Sequence, residues 1–202
     1  MKKLNLHQVE KELKSQDLQI FTPHDLMVVF GVNKRAARGF VSYNVEKGAF
    51  VRLKAGLYTL SGSDISDYVL ANRLYFPSYI SLDSALSHYS LIPESVYAVT
   101  SITSKPTREF EVIGRLFEYR RIKKEAFSGY IPQKIDGRVV YIATPEKAVA
   151  DFLYFAYLGK RKYNDRLKLE RIDQNRLKSY LALFSIKLIT FASNLMEGGE
   201  DG

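Results

Sequence analysis

The chain has 202 residues, 46% of them hydrophobic, and a formal net charge of +8 from 30 Lys/Arg against 22 Asp/Glu. That length suffices for one large domain or two small ones with a packed core, and the basic excess favours an anionic partner, nucleic acid before membrane surface. The sequence contains no cysteine, which excludes disulfides, zinc ribbons, iron–sulfur clusters and thiol nucleophiles and fits a reducing compartment.

The first residues after Met1-Lys2-Lys3 are too polar for a signal-peptide core. The longest apolar-rich run, Tyr180 to Met196, is interrupted by Ser185, Lys187, Thr190 and Asn194 and is too short and polar to span a bilayer. A soluble cytoplasmic protein is expected. Leu4 to Ser15 has an apolar stripe of Leu6, Val9 and Leu13 at helical spacing. In Phe21-Thr22-Pro23 the threonine is placed as an N-cap and the proline at the first helical position, with Leu26, Val29 and Phe30 as the buried face. Gly31 turns the chain, and Asn33 caps a third helix with Ala37, Phe40, Val41 and Val45 on one side. Lys34, Arg35, Arg38 and Ser42 fall on the other side. Gly48 ends that helix, and Phe50 to Leu53 and Leu57 to Leu60 read as two strands joined by Lys54-Ala55-Gly56.

Helix, helix, turn, helix, hairpin is the order of a winged helix. From Lys34 to Lys54 there are six basic residues and one acid, Glu46. The bland reading of such a helix is a solvated face, but this density falls on the element that the topology would send into the major groove. The expected DNA-binding residues are Lys34, Arg35, Arg38 and Ser42 on the helix and Arg52 and Lys54 on the hairpin.

Ser61-Gly62-Ser63 reads as a linker, giving a winged-helix DNA-binding domain over residues 1–62 and a mixed α/β domain over 63–202, an α+β chain overall. The charge divides with it. Residues 1–62 carry ten basic and five acidic side chains, residues 63–157 eleven of each, and residues 158–202 nine and six. Helices are expected over Asp64 to Tyr75 and after Ser81, with Leu82, Ala85, Leu86 and Tyr89 as the second stripe. Strands are expected over Val96 to Thr103, Phe110 to Ile113, Leu116 to Arg121 and Val139 to Ala143. Thr144-Pro145-Glu146 is a strong helix start, with Ala148, Val149, Phe152, Leu153 and Ala156 buried. Lys160 to Arg171 reads as exposed and charged. Asp173 to Met196 reads as one final helix, its stripe of Leu177, Leu181, Phe184, Leu188, Phe191 and Leu195 serving the core or an interface with a second copy. Gly198 to Gly202 is a short acidic tail.

Three sets of residues resemble the AbiEi family of antitoxins and transcriptional repressors in bacterial abortive-infection systems. They are Gly56-Leu57-Tyr58; Pro77-Ser78-Tyr79-Ile80-Ser81 with Ser84-Ala85-Leu86; and Thr144-Pro145-Glu146-Lys147-Ala148 with Asp151-Phe152-Leu153-Tyr154. The similarity runs in order from about Leu4 to Tyr157. The resemblance implies a winged helix followed by a mixed α/β antitoxin domain. It also implies repression of the chain's own operon through inverted repeats in the promoter, and a dimer on that DNA. It further implies neutralisation of a nucleotidyltransferase-like toxin, a functional partner without stable contact, in a type IV toxin–antitoxin system of phage defence. Some members of the family are regulators with no toxin.

Catalytic constellations are sparse. His7, His24 and His88 do not pair at metal-ligand spacing, and no glycine-rich phosphate loop of either common type is present. No metal or other cofactor and no catalytic residue is expected. The enzymatic alternative is a metal-dependent nuclease built on Glu109, Glu111, Glu118 and Lys123. Its bland counterpart is a solvated sheet face in which those acids pair with Arg115, Arg120 and Arg121. Glu146 and Asp151 read as structural, Asp151 as a partner of Lys147 one turn earlier.

Overall fold

The computed structural model describes residues 3–197, and the acidic tail lies outside them. The described residues form a mixed α+β chain of eight α-helices and two sheets. They divide into two compact units, Met1–Ser66 and Asp67–Gly202. No helix among them is long and apolar enough to cross a membrane.

The first unit contains α1 (Leu6–Ser15), β1 (Ile20–Phe21), α2 (Pro23–Phe30), α3 (Lys34–Glu46), β2 (Phe50–Lys54) and β3 (Leu57–Leu60). Each helix begins where a side chain accepts an otherwise orphaned N–H. Asn5 accepts from Gln8 and so starts α1 at Leu6, the first residue of its apolar stripe and two residues after the expected Leu4. Thr22 and Asp25 form a reciprocal capping box on α2, with Asp25 N–H donating to Thr22 Oγ1 at 3.2 Å and Thr22 N–H to Asp25 Oδ2 at 2.7 Å. Asn33 Oδ1 accepts from Ala36 N–H at 2.9 Å and fixes the start of α3. The three helices and the sheet close over Val9, Leu13, Phe21, Leu26, Val32, Ala37, Val41, Phe50 and Leu60. Phe21 and Phe50 meet edge-to-face at 5.1 Å. The hairpin turns at Gly56, whose φ of 77° favours glycine. Strand β1, absent from the sequence reading, pairs with β3 through Ile20↔Thr59 and Phe21↔Tyr58. Two residues are too few to show an alternation, and the strand exists because β3 offers it an edge.

The second unit contains α4 (Asp67–Leu74), β4 (Ser78–Ile80), α5 (Leu82–His88), β5 (Ala98–Thr103), β6 (Arg108–Val112), β7 (Arg115–Arg121), β8 (Tyr130–Ile135), β9 (Arg138–Ala143), α6 (Pro145–Tyr157), α7 (Gln174–Ala182) and α8 (Ile186–Glu197). Its six-stranded sheet has the order β6-β7-β5-β4-β9-β8. Strands β4 and β9, and β5 and β7, run parallel; the other neighbours are antiparallel. Helix α6 packs against α5, α7 and α8. Leu82, Leu86, Val99, Phe117, Val149 and Phe152, all core candidates in the sequence, are buried.

Three sequence expectations change. Ser78-Tyr79-Ile80 is a central strand, and Tyr130–Ile135 is an edge strand that tolerates Pro132 because an edge leaves some N–H groups unused. The expected final helix is two helices. Phe184 N–H bonds back only three residues to Leu181 O, and Ser185 Oγ accepts Leu188 N–H at 3.2 Å, so one helix tightens to its end and the serine opens the next.

Candidate nucleic-acid interface

The capped start of α3 decides which of its side chains share a face. Lys34, Arg38 and Ser42 are spaced by four residues and lie one above another. Together with Val45 they form one wall of a groove of about 690 Å³. The start of α2 closes it with Thr22, Pro23, His24 and Met27, and the hairpin with Arg52, Gly56 and Tyr58. Arg52 stands opposite Tyr58 in the β2–β3 register. The buried side of α3, Ala37 and Val41, holds the helix against the core. Asn44 is also buried there, donating Nδ2–H to Phe40 O at 2.8 Å, a role the sequence did not reveal.

Four of the six expected DNA-binding residues therefore converge: Lys34, Arg38, Ser42 and Arg52. Arg35 is exposed, but it follows Lys34 by one residue and so points about 100° away around the helix, off the groove. Lys54 is half-buried and does not line the groove. The lining contains no carboxylate: Asp25, next to His24, is engaged in the capping box, and Glu46, at the end of α3 next to Val45, is exposed outside the lining. Three permanent cations thus line the groove with no acid among the lining residues. His24, for which the sequence leaves phosphate contact or plain exposure, and Tyr58 add a ring nitrogen and a phenol to the lining. Only the fold brings the two into one groove, because they come from a helix start and a strand distant in sequence.

The acids of the nuclease alternative are occupied differently. Glu109 and Glu118 face each other across β6 and β7. Arg120 bridges them, at 3.1 Å to Glu109 and 2.8 Å to Glu118. Lys123 Nζ donates instead to Phe184 O at 3.0 Å. Arg115 pairs with Asp67 rather than with these acids. Among the described residues, no group of three or more His, Asp or Glu side chains could hold a metal ion.

The second unit also buries an ion pair. Lys147 and Asp151, one turn apart on α6, are both fully buried and joined through Nζ and Oδ1. Tyr79 and Ser81 donate hydroxyl protons to Asp151 Oδ2 at 3.0 and 2.8 Å. Ser81 was expected to cap α5, but no side-chain cap forms there because its hydroxyl is spent on Asp151. The Lys147 ammonium lies 4.6 Å from the Phe184 ring centroid, within cation–π range. Burial pushes the Asp151 carboxyl above its usual range, opposed by the Lys147 ammonium and by the three hydrogen bonds. Burial, then the neighbouring Asp151, raises the Tyr79 phenol. Here the pairing of Asp151 with Lys147 stands as read from the sequence, and Glu146 is buried as well.

No protein-family model matches the chain. No curated protein is significantly similar to it.

Proposed function

We propose that the first unit is a winged helix that binds double-stranded DNA through the groove between α2, α3 and the β2–β3 hairpin. The observation that carries this reading is the convergence of Lys34, Arg38 and Arg52 on one groove with no carboxylate in its lining. Phosphates supply most of the affinity for such a surface, and arginine forks read guanine in the major groove. Helix α3 is the reader, Arg38 its base contact, and Arg52 the hairpin's backbone contact. Arg35 and Lys54 serve from the rim.

The chain is then a transcriptional repressor, without catalytic activity, acting on inverted repeats in its own promoter. One winged helix touches too few base pairs for tight specific binding, so two copies occupy the operator. The motif resemblance extends this to an AbiEi-like antitoxin of a type IV system, with the second unit neutralising a nucleotidyltransferase-like toxin in the cytoplasm.

Two assays on the full chain test the reading. Operator binding by fluorescence anisotropy is expected to be abolished by combined Lys34→Ala, Arg38→Ala and Arg52→Ala, with growth rescue from the adjacent toxin retained. Unchanged operator affinity in the triple variant overturns the interface. Loss of rescue in a folded triple variant overturns the assignment of neutralisation to the second unit.

A further inference from the structure

A second basic cleft lies wholly within the second unit and is independent of the DNA reading. Its volume is about 620 Å³, within the range of small-ligand sites. One wall is the end of β7, with Arg120 and Arg121, beside Thr107 just before β6. The facing wall is the end of α6, with Phe155, and the loop after it, with Lys160 and Arg161. Four cations thus face one carboxylate, Glu118.

The sequence builds that loop deliberately. Gly159, at φ 66°, ends α6 in a left-handed conformation. Its N–H donates to Ala156 O at 2.9 Å and that of Lys160 to Phe155 O at 2.9 Å, the paired bonds of a Schellman motif. Arg161 N–H donates to the same Phe155 carbonyl at 3.2 Å, so both basic residues are fixed by backbone.

Their side chains are ordered too. The Glu118 carboxylate is shared between Arg120, at 2.8 Å, and Arg161, at 3.4 Å; outside the lining, Glu109 also holds Arg120, at 3.1 Å, and Asp83 takes the other arm of Arg161. Arg161 and Glu118 are only 19% and 18% exposed, so these forks are held in place before any ligand arrives. Arg120 and Arg161 each keep further N–H groups beyond those bonds. Arg121 and Lys160 are exposed, and no ion pair involving either is found among the described residues. Thr107 Oγ1 accepts the Arg121 N–H at 3.2 Å, which leaves its own proton to donate. Glu118, the sole carboxylate of the lining, already accepts from two guanidiniums. Both of those bonds fall on Glu118 Oε2, and the cleft presents more donors than acceptors; preordered arginine forks match the oxygens of a phosphate group.

We propose that this cleft binds a phosphate group, carried by a small ester up to mononucleotide size or as free phosphate. Its short span between the end of the inner strand β7 and the end of α6 favours a small molecule over a polymer backbone, which would need a longer track. The anchors are Arg120 and Arg161, with Arg121 and Lys160 closing on the phosphate.

The test is calorimetric titration of the full chain with AMP, adenosine and inorganic phosphate. AMP is expected to bind and adenosine not. Inorganic phosphate binding as tightly as AMP supports the site with free phosphate as its ligand; weaker phosphate binding supports the ester. Arg121→Ala with Lys160→Ala removes two exposed cations outside the Glu118 network and is expected to weaken binding about tenfold or more. Lys34→Ala with Arg38→Ala is the control for anion binding at α3 and should leave the affinity unchanged. Equal affinity for AMP and adenosine, an unaffected Arg121/Lys160 variant, or no binding of AMP and phosphate overturns the proposal. Duplex DNA affinity lost in that variant, with AMP affinity retained, overturns it as well and assigns the cations to a polymer.

Discussion

Removing the carboxylate of Asp151 tests what holds the second unit together. In Asp151→Ala the Lys147 ammonium stays fully buried, with its carboxylate partner gone and the rings of Phe184 and Tyr79 beside it. Breaking a buried pair from one side costs about 3–5 kcal/mol, because the remaining charge is uncompensated. The hydroxyls of Tyr79 and Ser81 lose their acceptor in the same step, at about 1 kcal/mol or more each. Set against a domain stability of about 5–15 kcal/mol, the loss is large, a melting-temperature drop of the order of 10–20 °C. Lys147→Met alone should cost less than Asp151→Ala, since the aspartate can take up a proton, which burial already favours. Combining Lys147→Met with Asp151→Leu replaces the pair with apolar volume and should recover much of the loss. Urea denaturation of the wild type, Lys147→Met, Asp151→Leu and the double variant, read by circular dichroism as a double-mutant cycle, measures the coupling, with Asp151→Ala run beside them. Costs of the two single changes that simply add, or an Asp151→Ala cost below about 1 kcal/mol, refute the claim that the pair acts as a unit.

Three further outcomes follow from named contacts. Arg38→Ala should cost operator binding about 1–3 kcal/mol and relax sequence preference, whereas Arg35→Ala, off the groove, should cost less; anisotropy on the operator and a scrambled duplex separates them. The Tyr68 phenol, pushed up to about 12 by burial and then by Asp67, keeps its proton in the fold after the unfolded chain begins to lose it near pH 10. Stability present below pH 10 should therefore decline as the pH rises toward 12, and less steeply in Tyr68→Phe, as denaturant titrations across that pH range would measure. In Gly129→Ala a Cβ would lie 2.6 Å from the Tyr180 ring and 3.0 Å from Lys147 Cγ, at a φ of 76°. Strain and overpacking together should cost about 2–4 kcal/mol, measurable by denaturant titration.

Local chemistry alone determined much of this protein. Asn33, Thr22-Pro23 and Thr144-Pro145 mark helix starts because an N-cap needs only its own next three residues. The stripes of α3 and α6, the Gly56 turn and the β6–β7 hairpin were legible for the same reason. The sequence carries a further turn signal before β9. Asp136-Gly137, both at positive φ, is the two-residue turn that joins β8 to β9, and it announced the strand before it. Strands β1 and β4 carried no such mark, since two or three residues acquire strand character only from the neighbours they pair with.

What sites need was decided by tertiary structure. The sequence put Arg35 beside Lys34 and Arg38 as an equal, and only the groove between α2, α3 and the hairpin separates them. Asp151 met Lys147 by helical spacing, but its bonds to Tyr79 and Ser81 span 72 and 70 residues. The second basic cleft joins Arg120 and Arg121 to Lys160 and Arg161 across the intervening chain. Periodicity and capping act over one helical turn, so a sequence displays them directly. A binding surface is made of residues that share no turn, and their meeting is set by strand order and helix packing.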